Sequence, residues 1–320
     1  MLLVRQKGVA LILVLVIVAI ASVLAASYLS RQQLSIKRAG HQIFTDQSYF
    51  YALATEEWAK VILENDFTDG KVDSLDEVWA VSLPFIDIEG GFLSAGLTDL
   101  QGRLNINNLF LEGKLNPLAR QRIQRLLALH EAPAEMIEAI TDWLDSDRDP
   151  SGFGGAEDDY YSRLEQPYLA PNQPMSGISE MRLLRGMQDK LYQAIAPLLT
   201  ALPSGVELNV NTASKETLKA LNLPDGVIDG VISERESKAF EGATDFVTRL
   251  NLNEAEFDKA GLTVGSQYFV LNSVVVIAEV SYAQESLIHR DSKGKCRVLR
   301  RWRLPYVQTP DLDTSDDEAD

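Results

Sequence analysis

Gly8-Val9-Ala10-Leu11-Ile12-Leu13-Val14-Leu15-Val16-Ile17-Val18 opens a stretch, residues 9–29, that carries no charge, and its reading decides the rest of the chain. About 20 apolar residues rising 1.5 Å each cross ~30 Å of hydrocarbon, so the stretch is long enough to span a membrane as a helix. A cleaved secretory signal is the competing reading, because Ala25, Ala26 and Ser27 imitate a small-residue cleavage site; its apolar region would be shorter. Arg5 and Lys7 precede the span and Arg31, Lys37 and Arg38 follow it, so charge counting alone does not orient it. The helical pattern continues past the span. From Ser30 to Asn65 there is no proline and one glycine, Gly40, while Phe44, Tyr51, Ala54, Trp58 and Val61 recur at helical spacing. One long helix is predicted, apolar all round at first and one-sided afterwards, its second half lying on a globular head. A coiled-coil dimer would need sustained heptads flanked by charge pairs, which are missing.

The whole chain has 320 residues, 46% hydrophobic and 24% charged, values that exclude global disorder. Its net charge of −16 argues against a nucleic-acid partner held through phosphates. The single cysteine, Cys296, rules out an internal disulfide and a cysteine-built metal site. His41, His130 and His289 share no ligand spacing. Gly-x-Ser-x-Gly, His-Glu-x-x-His and phosphate-cradling glycine loops are all missing, so an enzyme is not expected.

Strand-like sequence flanks a helical middle. Residues 91–99 and then Gly102-Arg103-Leu104-Asn105-Ile106-Asn107-Asn108 read as short strands ending in a loop, and residues 72–84 give no assignment. Residues 268–280 and 296–304, around a loop with Gly294, read as an antiparallel hairpin. The fold expected is α+β: a long N-terminal helix on a small antiparallel sheet, with a large helical insertion between its strands.

Gln6-Lys7-Gly8-Val9-Ala10-Leu11-Ile12-Leu13 resembles the leader junction of type IV pilins and type II secretion pseudopilins. The resemblance implies a leader, residues 1–8, cut between Gly8 and Val9 by a prepilin peptidase. Most members carry a glutamate where this chain has Leu13. A carboxylate in hydrocarbon costs ~2.5–3.5 kcal/mol or more unless paired, and in these filaments its partner is the neighbouring subunit's terminal amine. A subunit with nobody ahead of it has no such partner. Leucine here resembles the K-type minor pseudopilin (the general secretion pathway protein K family), placed at the filament tip. That family implies a pilin-like fold carrying an extra α-domain. The boundaries expected are residues 9–29 for the membrane half of the helix, 30–108 for its stem and the first strands, and 109–265 for a helical insertion with two SAM-like halves. Residues 266–308 follow as the last strands, and 309–320 as a disordered acidic tail. Implied with it are a single-pass anchor in the bacterial inner membrane, a periplasmic head, and I-, J- and H-type minor pseudopilins as partners.

Inside the insertion, Leu104-Asn105-Ile106-Asn107-Asn108 recurs as Leu208-Asn209-Val210-Asn211-Thr212. The second copy is similar to helix-hairpin-helix modules of DNA-uptake proteins, but Asp225 and Asp229 would repel a phosphate and no basic cluster sits beside them. A helical scaffold whose asparagines cap helices and turns is the reading kept. Ser179 is expected to cap a helix over residues 179–185.

The sharpest chemistry lies in residues 142–159, with seven acids and one arginine. Asp145, Asp147 and Asp149 alternate as the early ligands of an EF-hand loop do, although Pro150 and Ala156 break that motif. Ca²⁺ takes six to eight oxygens at flexible geometry, which a Gly-Gly loop with alternating aspartates supplies. The alternative is a solvated acidic loop. K-type pseudopilins resemble this chain here too, as calcium binders within the insertion. Asp145, Asp147, Asp149, Glu157, Asp158 and Asp159 are the expected ligands. The other functional reading of the chain is a membrane-tethered pilin-like module for calcium-dependent adhesion or nucleic-acid uptake.

Overall fold

The computed structural model describes residues 7–223, 225–253 and 257–305. The residues before Lys7 and the expected disordered tail over 309–320 lie outside them. Helix α1 runs unbroken from Lys7–Asp69, 63 residues, or roughly 95 Å at 1.5 Å per residue. It is the one helix among the described residues long and apolar enough to cross a membrane.

The C-terminal third of α1 crosses one face of a five-stranded sheet. The strands are β1 (Leu83–Ile88), β2 (Gly91–Asp99), β3 (Tyr268–Ile277), β4 (Val280–Arg290) and β5 (Cys296–Arg303). Their order in the sheet is their order in the chain, each antiparallel to the next. Ala59, Leu63, Trp79, Leu97, Phe269, Leu271 and Ile288 fill the space between helix and sheet. Trp79 reaches this core from a single 3-10 turn, Val78–Ala80, in the segment whose sequence gives no assignment, and meets Phe269 edge-on at 5.2 Å.

The buried face of α1 differs from the expected stripe. Ser48, Ala52, Thr55, Glu56, Ala59 and Leu63 face inward, while Ala54 and Val61 are exposed and Phe44, Tyr51 and Trp58 half-buried. Small side chains at Ser48, Ala52 and Ala59 let the helix come close to the strands. Two of its polar members are satisfied locally: Thr55 Oγ1 lies 2.6 Å from Ser273 Oγ, and Glu56 accepts from Gln284 Nε2 at 2.8 Å and Ser286 Oγ at 2.6 Å and pairs with Arg301 at 2.7 Å. Hydropathy does not reveal such a face. Among the larger side chains, Leu63 is in the core and Phe44, Tyr51, Trp58 and Ile62 pack at its edge, while others point away. Leu29, Ile36, Ile43 and Phe50, spaced by sevens, are 58%, 64%, 55% and 66% exposed; at 3.6 residues per turn this stripe lies about 150° around the helix from Ala52 and Ala59.

The hairpin expected over residues 268–304 is two hairpins. The apolar run breaks at Ala278, whose φ of 50° is left-handed, and its N–H donates to Gly90 O at 3.0 Å. Chain reversal there adds a strand, Val280–Arg290, which is the true partner of Cys296–Arg303. An Ala-Glu turn carries none of the glycine or asparagine that normally marks left-handed backbone.

Between β2 and β3 the chain builds a helical body with its own core: α2 (Pro117–Leu129), α3 (Met136–Leu144), α4 (Asp158–Tyr161), α5 (Asp189–Ile195), α6 (Lys215–Lys219), α7 (Asp225–Ser237) and α8 (Ala243–Arg249). Leu104, Ile106 and Leu109 pack in that core, so residues 104–108 belong to the body rather than to the first strands. The internal echo is structural. Leu104–Asn105 pairs in parallel with Leu199–Thr200, and Leu208–Asn209 pairs in parallel with Leu262–Thr263. In each copy the first asparagine accepts from the second one's N–H (Asn107 to Asn105 Oδ1, 3.2 Å; Asn211 to Asn209 Oδ1, 2.9 Å). The second asparagine then clamps a distant backbone unit in both directions: Asn107 takes Met175 N–H at 2.8 Å and donates to Met175 O at 3.0 Å, and Asn211 takes Phe240 N–H at 2.9 Å and donates to Phe240 O at 3.0 Å. Ser179 caps nothing; Ile178–Leu183 is a 3-10 helix entered from Gly177.

Body and sheet are joined by buried charge. Arg290, at the end of β4, pairs with Asp66 of α1 at 2.9 Å and with Asp73, and Asn209 donates to Asp73 O at 3.1 Å and Ser266 Oγ at 2.9 Å. This junction fixes the body above the far end of α1.

Candidate metal centre

Helix α3 is buried on almost every side, and its last turn carries Asp142 into the interior. Asp142 organises the acidic loop. Its Oδ1 accepts from Ser151 N at 2.9 Å and its Oδ2 from Ala156 N at 2.7 Å, tying both ends of the Ser151–Ala156 arch to α3. Gly155 lies against this carboxylate: a β-carbon there would sit 2.5 Å from the Ser151 N and O and closer still to Asp142 Oδ2. The arch is held from outside by Arg185, which donates to Gly155 O at 2.9 Å.

Around the arch the chain brings three acids to one point. Asp145 is the residue that ends α3, Asp147 follows in the loop, and Glu157 precedes α4. One carboxylate oxygen from each lies within 4.8 Å of the others. Asn172, in the loop after Pro171, completes the wall from the opposite side with a left-handed φ of 47°. Its Nδ2 donates to the Asp147 carbonyl and, at 3.3 Å, to Glu157 Oε2. Asp145 Oδ1, Glu157 Oε1 and Asn172 Oδ1 are buried with no hydrogen-bond partner. Buried acceptors are normally satisfied, because each bare one costs about 1–3 kcal/mol. Two of them, on Asp145 and Glu157, belong to the three-acid group, and such a group of carboxylate oxygens is the donor chemistry of a hard cation.

The proton affinities agree. Burial, reinforced by Asp147 and Asp142, pushes Asp145 up to about 6. Burial also pushes Glu157 up to about 7 against the hydrogen bond from Asn172, with Asp142, Asp145 and Asp158 adding repulsion. Both groups hold protons more tightly than ordinary carboxylates, chiefly because burial disfavours the ionised form. The residues present fit a calcium-class ion bound through oxygen.

The other expected ligands stand apart from this group. Asp149 is exposed and gives its N–H to Asp147 Oδ1 at 2.9 Å. Asp158 accepts from Ala170 N at 3.0 Å and faces Arg148 at 3.9 Å. Asp159 is solvated beside Arg163 at 4.0 Å. Sequence reasoning missed Asn172 and the bracing role of Asp142. The signal for Asn172 was the Pro-Asn pair inside an ordered loop, since asparagine tolerates left-handed backbone.

A second acidic group, Asp66, Asp73 and Glu77, is built differently. Arg290 fills it, and Glu77 accepts from Trp79 Nε1 at 2.6 Å and from Ser74 N at 3.1 Å. It is a clasp whose positive charge is a side chain. In the second copy of the repeat, Asp229 is engaged by Lys215.

A single apolar helix that continues as the spine of an antiparallel head, with a helical body inserted between two strands, defines a pilin-like subunit. Family models described as type II secretion system (T2SS), protein K match residues 102–204 and 208–265. The chain is 33% identical to the type II secretion system protein K of Pseudomonas aeruginosa, over 98% of each chain. It is 30% identical to that of Klebsiella pneumoniae, over 95% of this chain and 98% of the relative. In the crystal structure of the GspK-GspI-GspJ complex from the enterotoxigenic Escherichia coli type 2 secretion system, one chain matches with a TM-score of 0.75 and 28% identity, covering 84% of this chain and 100% of that one. The chain belongs to the type II secretion system protein K family, the K-type minor pseudopilins.

Proposed function

We propose that the chain is the tip subunit of a periplasmic pseudopilus, a non-enzymatic assembly component that binds Ca²⁺ in its helical body. Residues 9–29 anchor it in the inner membrane with the head in the periplasm, and a prepilin peptidase cuts between Gly8 and Val9. Leu13, in the apolar part of α1 and 61% exposed, removes the carboxylate that would seek an amine one subunit further on. The observation that carries the assembly reading is the outward stripe of Leu29, Ile36, Ile43 and Phe50. Its spacing by sevens continues the exposed apolar surface beyond the first 29 residues and presents one large apolar side chain per two turns to a neighbouring helix. I-, J- and H-type minor pseudopilins are the neighbours proposed, and the related complex of K, I and J proteins supports that choice. Asp145, Asp147 and Glu157 would hold the ion, with Asn172 Oδ1 as a neutral fourth donor.

Replacing Ile43→Asp together with Phe50→Asp tests the assembly reading. Neither side chain packs in the head's core, so thermal unfolding stays where it was while co-purification with the other minor pseudopilins is lost. Undiminished co-purification would overturn the stripe as an interface.

A further inference from the structure

Between the end of the uncharged stretch at Leu29 and the first acid, Asp46, α1 carries Arg31, Lys37 and Arg38 and no carboxylate. In a chain of net charge −16 this segment is purely cationic. All three side chains are exposed. Among the described residues no carboxylate oxygen lies within 4.0 Å of their charged nitrogens, and none of the three donates a side-chain hydrogen bond.

Their place along the helix says what meets them. Tyr28, 69% exposed, closes the uncharged stretch, and aromatics of this kind sit at the level of lipid headgroups. A rise of 1.5 Å per residue puts Arg31 about 3 Å, Lys37 about 12 Å and Arg38 about 14 Å beyond Leu29. The headgroup layer is roughly 5–8 Å deep on each side of the hydrocarbon. Helical side chains lean towards the N-terminus, which here is the membrane side, so Lys37 and Arg38 carry their charges back towards that layer. Even their backbone stands within about a Debye length, ~8 Å at physiological salt, of its outer edge.

Their place around the helix says what does not cover them. At 100° per residue, Lys37, Arg31 and Arg38 lie about 100°, 140° and 160° from Ile36 on the outward apolar stripe. A neighbouring helix seated on the stripe therefore leaves them open. The head does not reach them either: the first α1 side chain packed against its core is Phe44. With Arg5 and Lys7 in the leader, a cut between Gly8 and Val9 leaves no lysine or arginine at the cytoplasmic end of the span and three on the periplasmic side. That is the reverse of the usual bias.

We propose that Arg31, Lys37 and Arg38 form a patch that binds the phosphates of anionic phospholipids in the periplasmic leaflet and so fixes the depth of α1 beneath the head. This rests on reading residues 9–29 as the anchor with the head in the periplasm. Each guanidinium can hold a phosphate through two N–H groups, with Lys37 as a point charge beside them.

The test places the full chain in equimolar vesicles of phosphatidylglycerol and phosphatidylcholine in which one lipid or the other is dibrominated. Leu24→Trp is the reporter. It lies in the uncharged stretch, about 20° around the helix from Arg31, and the native tryptophans all follow Asp46. Bromine quenching should show phosphatidylglycerol preferred beside the reporter by about fivefold or more at low salt, the worth of one cation near an anionic surface. The preference should approach parity in 1 M salt, where the Debye length is about 3 Å. Arg31→Gln, Lys37→Gln and Arg38→Gln together should bring parity at low salt, whereas Arg31→Lys with Arg38→Lys should keep the preference. Parity in the chain with its cations intact overturns the proposal. An unchanged preference in the triple glutamine variant overturns it too, and if that variant also stops co-purifying with the other minor pseudopilins, the patch belongs to a protein partner. The anchor is read separately, by flotation of the chain with vesicles of phosphatidylcholine alone. A chain that floats there yet shows no lipid preference overturns the patch and leaves the anchor standing; one that does not float overturns the anchor reading and the patch with it.

Discussion

Glu157→Gln should change the stability of this protein in opposite directions with and without calcium. In the ion-free protein Glu157 is a buried carboxyl whose pKa is pushed from 4.5 up to about 7, first by burial and then by Asp142, Asp145 and Asp158. A group whose folded pKa lies above its unfolded value costs nothing below about pH 4.5, and its full penalty applies once the pH exceeds about 7. At about 1.4 kcal/mol per tenfold change in proton affinity, that penalty approaches about 3 kcal/mol at pH 8. Glutamine removes the charge, keeps an acceptor for Asn172 Nδ2, and turns an amide donor towards the bare oxygens Asp145 Oδ1 and Asn172 Oδ1. Thermal unfolding in EDTA at pH 8 should therefore move up by several degrees, at about 2–4 °C per kcal/mol for a body of this size, and the gain should vanish towards pH 4.5. In excess Ca²⁺ the order reverses, because the unsubstituted protein gains RT ln(1 + [Ca²⁺]/Kd) and the variant has lost a ligand. Calcium affinity of the unsubstituted protein should also fall as pH drops below about 7, since ion binding must displace the protons on Glu157 and Asp145. A variant that is destabilised equally in EDTA and in calcium would refute the reasoning, and so would an equal calcium-induced shift in both proteins.

Gly155→Ala places a methyl group against Ser151 and Asp142; calorimetry should show calcium binding lost or weakened by more than tenfold while all the ligands remain. Asn107→Ala and Asn211→Ala each leave buried backbone groups bare, at about 1–3 kcal/mol per group. Asn107 serves Met175 N, Met175 O and Leu202 O, whereas Asn211 serves Phe240 N and O. Denaturant unfolding should accordingly rank Asn107→Ala as the more damaging of the two.

How much of this could be read from the sequence depended on whether the signal was local. The apolar stretch, the long helix and the asparagine repeat are written in consecutive residues, and the structure contains all of them as helix and paired turns. The inward face of α1 was legible in part: Phe44, Tyr51 and Trp58 pack at the core's edge, whereas close helix–sheet packing selects serine and alanine at its centre and leaves Ala54 and Val61 outside. The extra strand escaped because Ala278 adopts a left-handed turn with no glycine or asparagine to announce it. At the candidate metal centre, Asp145, Asp147 and Glu157 converge, while Asp149, expected from the aspartate alternation, and Asp158 and Asp159, expected from the family resemblance, lie outside that group. Asn172 could not be found by spacing, since the fold brings it in from a separate loop.

The reading of this chain as a processed, assembling pseudopilin stands most directly on its mature N-terminus. The chain should be isolated together with the other minor pseudopilins from membranes of secreting cells and its N-terminal peptide weighed by mass spectrometry. The account predicts a chain beginning at Val9, with the leader gone. A chain that begins at Met1 within the assembled complex, or one cut beyond Ala26 as a secreted protein would be, would contradict it.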